Sequence, residues 1–313
     1  MSGGRALVQP PERCDLCPRR CSADRTRSVG LCGAGGRARV ARAAPHFWEE
    51  PCISGVQPAG APPSGGSGCV FFSGCPLGCV YCQNAQISVG HFGAEVSVER
   101  LAAIFLELQA AGVYNLNLVS PTQYRPWITA ALDLARPALR LPVVYNTGGY
   151  ESVASVRALG RYVDVWLPDC KYLDPARGAR YSGAADYFER CAAALQAMYE
   201  QTGPVRFDAD GLMTRGLLIR HMVLPKGWRD SMALLDRLAA LLPVGEVRLS
   251  LLRQYVPCHR AGAFPEIDRR VSTYEYEQVV GRAAALGFTG YTQRRDSADA
   301  AYTPSFDLEG VLE

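Results

Sequence analysis

The sequence predicts an α/β fold, a partial (βα)6 TIM-like barrel with a small Cys-rich N-terminal metal-binding segment. Three observations predict it. Strand-like and helix-like stretches alternate six times from residue 69 onward, the first sixty residues share none of that texture, and all six predicted strands end in polar side chains. The alternation with right-handed crossovers fits an open doubly wound sheet as well as a barrel. Chemistry collected on the loops at the carboxyl ends of the strands is the habit of the barrel.

The elements follow in order. CVFFSG (69–74) is a short apolar strand, and SVERLAAIFLELQAAG (97–112) opens on Ser97 as N-cap. That helix places Val98, Leu101, Ala102, Phe105 and Leu108 on one face and stops at Gly112. LNLVS (116–120) is a strand, followed by a helix around Ile128, Leu132 and Ala135. LPVVYN (141–146) is a strand and SVASVRALG a short helix; VDVWLP (163–168) is a strand and YFERCAAALQAMYEQ a helix. GLLIRHMVLP (216–225) is a strand before SMALLDRLAALL, with Asp230 as its cap. EVRLSLL (246–252) precedes YEYEQVVGRAAALG, capped by Ser272 or Thr273, and a last short strand is expected near Phe288. The strand ends read GCPLGCVYCQN, SPTQY, NTGGY and PDCKY, then Arg220-His221 within the fifth strand and RQYVP after the sixth. Three parts result: a Cys-rich segment over 1–56, a Pro/Gly-rich loop over 57–68 and the barrel over 69–313.

Composition narrows the function. The 313 residues are 48% hydrophobic, with a net charge of +3, so nothing points to a nucleic-acid or membrane surface. No apolar run approaches a membrane span, and the start has no apolar leader segment, so a cytoplasmic protein is expected. Of twelve cysteines, seven fall within 14–32 and 75–82. Clustered thiols of this kind suggest metal ligation in a reducing compartment.

Cys75, Cys79 and Cys82 have the spacing C-x3-C-x2-C at the end of the first strand. Structural zinc and electron-transfer clusters usually take four protein ligands, whereas three leave an open position of the kind catalysis needs. Gly74 and Gly78 give the backbone freedom to wrap an inorganic cube. The reading is a [4Fe–4S] cluster with one iron free of protein.

With Tyr81 as the aromatic before the last cysteine, the motif resembles the signature of the radical S-adenosylmethionine superfamily. APHFWEEPCISG, VFFSGCPLGCVYCQN, YNTGGYES, WLPDCKY, YSGAADYF, IRHMVLP and YTPSFDLEG resemble its pyruvate formate-lyase-activating-enzyme-like lineage, from about residue 14 to the end. The resemblance implies S-adenosylmethionine chelating the open iron, a 5′-deoxyadenosyl radical, and hydrogen abstraction, in the activating enzymes from a glycine of a partner protein. It implies Tyr81 near the adenine, Asn146 and Thr147 facing the ribose or methionine part, and an Asp169/Lys171 pair with Lys171 toward the carboxylate. Arg220 and His221 match the fifth-strand position. Ser120-Pro121-Thr122 stands where many relatives have Gly-Gly-Glu, so the amino group would be met by Ser120, Thr122 or backbone. A low-potential electron donor such as flavodoxin or ferredoxin is implied too.

Cys14, Cys17, Cys21 and Cys32 give C-x2-C-x3-C-x10-C, a full set of four for zinc or for a second iron–sulfur cluster able to relay electrons. Cys52, Cys69, Cys170 and Cys191 read as structural; Cys258-His259 lies where a substrate would be. Two other functions remain open. One is radical modification of a peptide or small molecule; the other is a non-enzymatic electron carrier or scaffold on the same barrel.

Overall fold

The computed structural model describes residues 8–57, 63–294, 297 and 303–312. Residues 58–62 of the Pro/Gly-rich loop and 1–7 of the N-terminal segment lie outside the described residues. The elements run β1 (Ala38–His46), α1 (Pro51–Ser54), β2 (Ser67–Phe72), α2 (Ala85–Ser88), β3 (Ala94–Val96), α3 (Val98–Ala110), β4 (Asn115–Val119), α4 (Arg125–Ala135), β5 (Val143–Thr147), α5 (Val153–Leu159) and β6 (Val165–Pro168). They continue with α6 (Pro175–Ser182), α7 (Tyr187–Thr202), β7 (Arg206–Phe207), β8 (Met213–Met222), α8 (Trp228–Leu241), β9 (Arg248–Leu252), α9 (Thr273–Ala285) and β10 (Gly290–Thr292).

The six predicted strands are β2, β4, β5, β6, β8 and β9, parallel neighbours in that order. β10 continues the parallel run beyond β9, two residues later than the expected position near Phe288. At the other edge β1 pairs antiparallel with both β2 and β3. No pairing joins β10 to β3 among the described residues, so the barrel is partial. β1 falls inside the segment that composition grouped with the cysteines, yet it belongs to the sheet. The C-terminal tail takes the free edge of β1 where β3 stops, with Leu308 N–H donating to Ala41 and Ala43 N–H to Glu309.

Side-chain alternation sorts the strands into two layers. Val70 and Phe72, Leu116 and Leu118, Ile219, Leu249 and Leu251 join the helices in the larger core. The other face looks inward. Cys52 and Ile53 of α1 pack there against Val144, Val165, Leu167 and Leu218, closing the lower end of the barrel.

Helix starts follow their caps. Ser97 accepts from Arg100 N–H as expected, and Ser272 rather than Thr273 caps α9 in a reciprocal box with Glu275. Asp230 is not a cap. The helix begins earlier, at Trp228 after Gly227, and the Asp230 carboxylate instead accepts from the N–H groups of Leu173 and Asp174.

Candidate cluster and cofactor site

The loop after β2 carries three thiols on a backbone only glycine allows. Gly74 and Gly78 have φ of +85° and +56°. A β-carbon at Gly74 would lie 2.4 Å from the carbonyl oxygen of Cys32. Gly74 N–H donates to Ile87 and Val80 N–H to Tyr181, which ties the loop at both ends. Each sulfur has a hydrogen-bond partner: Leu77 N–H donates to Cys75 Sγ at 3.4 Å, the Ser88 hydroxyl donates to Cys82 Sγ at 3.2 Å, and Cys79 Sγ shares a hydrogen bond with the Ser182 hydroxyl at 3.0 Å. Burial pushes all three thiols up, Cys82 to about 12, so a bound metal must displace a proton from each.

Among the described residues no three His, Cys, Asp or Glu side chains converge on one point where a single metal ion would sit. A cubic cluster does not ask for that, because its thiolates hold different irons. Three sulfurs, Cys79 buried and Cys75 and Cys82 half-buried, each within hydrogen-bond reach of a group able to donate to a thiolate, fit such a group.

The sulfurs open on a cavity of about 1400 Å³ of empty volume counted to its open mouth. The part of it comparable with ordinary small-molecule sites, which run to ~300–1,000 Å³, measures about 250 Å³. Tyr81, Ser120, Asn146, Thr147, Asp169, Lys171 and Arg220 all line it. Ser120 sits at φ +56°, turning the chain at the end of β4. Lys171 Nζ is 2.5 Å from Asp169 Oδ2. Burial opposes the ammonium, but Asp169 and the Cys79 sulfur outweigh it and hold Lys171 above its ordinary value. Tyr81 is buried in a ring of Tyr172, Tyr181 and Tyr255, each edge-on to it, and its hydroxyl pairs with that of Tyr172. Cys258 Sγ reaches the Tyr81 carbonyl at 3.2 Å.

The floor of the cavity was not legible in the sequence. Glu49 and Glu50, from the turn before α1, enter the barrel interior and both engage the Arg220 guanidinium. Asn117 and Asn146 also donate to Glu49 Oε1, at 3.2 and 3.4 Å. Burial alone would raise the Glu50 carboxyl; the adjacent guanidinium overrides it and holds Glu50 below its usual value. Two carboxyl groups thus share one guanidinium in this floor. The only sequence signal was the Glu-Glu-Pro step within APHFWEEPCISG.

Two expected contacts lie elsewhere. His221 follows Arg220 on a strand, and consecutive side chains point to opposite faces. It is 1% exposed, with Nδ1 at 2.6 Å from the Cys170 carbonyl and Nε2 at 2.8 Å from Ser231 Oγ of α8. Thr122 is also buried and lines a smaller space behind Ser120. Its hydroxyl donates to Glu151 Oε1 at 2.5 Å, which the Thr147 hydroxyl also reaches at 2.7 Å. Burial lifts the Glu151 carboxyl to about 7, against the two threonine hydrogen bonds and Arg125. Cys170 turns toward Cys191, away from the cavity.

No protein-family profile matches this chain. A curated relative, the uncharacterized protein MJ0674 of Methanocaldococcus jannaschii, is 24% identical over 277 residues, covering 86% of this chain and 73% of its own. Among solved structures, Streptococcus suis SuiB bound to precursor peptide SuiA superposes with a TM-score of 0.49 at 13% identity, over 70% of this chain and 46% of SuiB. This chain therefore spans less than half of SuiB. A radical SAM methyltransferase from Sphaerobacter thermophilus gives 0.48 at 17% identity, over 74% of this chain and 69% of that protein. The functional reading rests on the chain's own residues.

Proposed function

We propose that this protein is a radical S-adenosylmethionine enzyme in which Cys75, Cys79 and Cys82 hold a [4Fe–4S] cluster and the adjoining cavity takes S-adenosylmethionine. The observation that carries this is the set of three sulfurs, one buried and two half-buried and each with a hydrogen-bond partner, opening on one cavity beside Lys171 and Asp169. When bound, the cluster and S-adenosylmethionine supply one-electron cleavage to methionine and a 5′-deoxyadenosyl radical, which takes a hydrogen atom from the substrate.

The chain's residues bind, orient and exclude water. Lys171, held charged beside Asp169, pairs in this reading with the methionine carboxylate. Ser120 offers a hydroxyl at the end of β4, and Thr147, whose own hydroxyl donates to Glu151, lines the wall beside it. The Asn146 amide is fixed between Glu49 and Arg220, facing the ribose or methionine part. Tyr81 presents an aromatic surface for the adenine. Arg220 is already matched by two carboxylates, so it orders Glu49 and Asn146 instead of receiving an anion. Thr122 and His221 act as positioning residues, through Glu151 and the Cys170 carbonyl. The closed lower end and the apolar walls of Leu77, Val119 and Leu252 exclude water.

The hydrogen donor we assign to a polypeptide, a glycine of a partner protein in the activating-enzyme manner, on the motifs that carry that resemblance. The electron comes from a low-potential donor such as flavodoxin or ferredoxin. Cys14, Cys17, Cys21 and Cys32 hold a second metal centre. All twelve cysteines are free thiols, which suits the cytoplasm. No described helix is long and apolar enough to cross a membrane.

The test is anaerobic: reconstitute with iron and sulfide, reduce with dithionite, add S-adenosylmethionine and quantify 5′-deoxyadenosine beside Cys79→Ala. Product that falls at least ~100-fold in the variant supports the assignment; each tenfold is about 1.4 kcal/mol of barrel-built barrier lowering. A loaded, reduced protein that fails to bind S-adenosylmethionine overturns it and favours an electron carrier.

A further inference from the structure

The cavity has a wall that the barrel itself does not supply. Thr303 and Pro304 of the C-terminal tail line it together with Cys75, Cys79 and Cys82. They stand on the open side of the sheet, which ends at β10 on one flank and at β3 on the other. β3 pairs only with Ala38, Arg39 and Val40 of β1, and the tail takes up β1 beyond it, at Ala41 and Ala43. Leu252 and Gln254, at and just after the end of β9, line the cavity from the opposite flank. Trp48, 62% exposed, and the half-buried Gln83 and Asn84 of the cluster loop line it as well.

The wall is firmly fastened. Phe306 is buried, its ring edge-on to Phe71 at 5.5 Å in a cluster with Ala41, Cys69, Ile87 and Val119. Phe71 and Val119 also line the cavity, so Phe306 supports that side from behind. The Phe306 carbonyl accepts from Gln86 Nε2 of α2 at 3.4 Å. Asp307 and Glu309 both pair with Arg42, Asp307 at 2.9 Å. Arg100 of α3 donates to the carbonyls of Gly310 and Val311 at 3.3 and 3.0 Å, and Val311 is fully buried. Gly310 lies at φ +68°, where a β-carbon would strike the Ala43 carbonyl oxygen. Residues 306–311 are thereby held as part of the barrel, and they fix where Thr303 and Pro304 stand. The fixed φ of proline stiffens that position further. Thr303, Pro304, Trp48, Gln254, Gln83 and Asn84 offer amides, a hydroxyl and apolar surface but no charge, a lining that suits a peptide backbone.

We propose that Thr303 and Pro304 are specificity-determining residues, which with Trp48 and Gln254 limit access to the cavity to a slender stretch of polypeptide. The residue that gives up hydrogen enters on a loop or chain end, and the body of its protein stays outside the tail. This rests on the function proposed above for the cavity.

The experiment uses the full chain, reduced and free of metal, and follows alkylation of Cys82 by peptide mapping. Cys75 also borders a groove behind its loop, so Cys82 is the cleaner reporter of the cavity. N-ethylmaleimide is compared with pyrene maleimide; both are neutral and share one chemistry, so the acidity of the thiol cancels in the ratio of their rates. Wild type should react at least ~10-fold more slowly with the larger reagent. Phe306→Ala, which unseats the wall, should bring the two rates within about twofold of each other. Pro304→Trp, which narrows the entrance and touches no anchor, should widen the ratio by a further ~10-fold. Equal rates in wild type, or a ratio that neither variant moves, would overturn the proposal; if Phe306→Ala fails to fold, Pro304→Trp decides alone. Size selection as expected in a chain that, once loaded and reduced, binds no S-adenosylmethionine would overturn the proposed function and leave the entrance standing.

Discussion

The two sets of cysteines are assembled on different plans. The N-terminal four are arranged by their own neighbourhood: Cys14 with Ala23, Ser22 with Cys14, Arg20 with Cys17 and Gly30 with Ala34 exchange backbone hydrogen bonds, all between residues 14 and 34. The three at 75–82 depend on distant partners. Cys79 leans on Ser182 of α6, Cys75 on the Cys32 carbonyl, and the cavity beyond them on Glu49 and Glu50 from below. A site made by local turns is written in residue spacing. A cavity made by topology is written across the whole chain, and damage to it should spread correspondingly.

That contrast can be broken in four places. Arg220→Ala leaves buried Glu50 and half-buried Glu49 without their counter-ion, and the loss of a buried charge's partner costs about 3–5 kcal/mol. Denaturant midpoints should register it globally; a loss below ~1 kcal/mol would mean the floor is not a structural centre. Glu151 sharpens the same side. Its carboxyl holds a proton up to about pH 7 in the folded chain, against 4.5 as the ordinary value. Its contribution is therefore full below pH 4.5, is lost between 4.5 and about 7, and amounts to about 3 kcal/mol. Stability measured across that window should fall with rising pH, and Glu151→Gln should remove most of the slope.

Arg25→Met tests the N-terminal plan. Hydrogen bonds from a buried guanidinium are worth roughly 1.5–3 kcal/mol each, so the loss should free the segment from the barrel. Tryptic cleavage at Arg20 or Arg27 should accelerate well before the barrel unfolds. Simultaneous loss of both would show that the segment is not a separate unit of stability. Ser97→Ala belongs to neither set: it removes one N-cap and should cost about 1 kcal/mol. The iron content of that variant should match wild type.

What the sequence disclosed follows the same division. The six parallel strands were visible because each is short, apolar and bounded by a turn. The thiol sets were visible because ligand spacing survives any rotation of the barrel. Ser97 announced its helix through one side chain and one N–H. Glu49 and Glu50 gave no such sign, since nothing local says that a turn before a four-residue helix will enter the barrel. β1 was hidden by composition, for ARVARAAPH alternates arginine with alanine and valine and lacks the β-branched density of the inner strands. His221 was placed beside Arg220 by motif, while the two-residue period of the strand sends it to the helices. Glu151, between two threonines from different strand ends, becomes conspicuous only when β4 and β5 lie side by side.

The turn from Glu49 to Ile53 does two jobs within five residues. Its carboxylates form the floor of the cavity and its apolar end stops the barrel below. Any resizing of that stopper is transmitted to the floor by the backbone between them. Variants selected in the laboratory for a changed choice of reactant should accordingly include substitutions at Cys52 and Ile53, at the closed end of the barrel, where no ligand arrives.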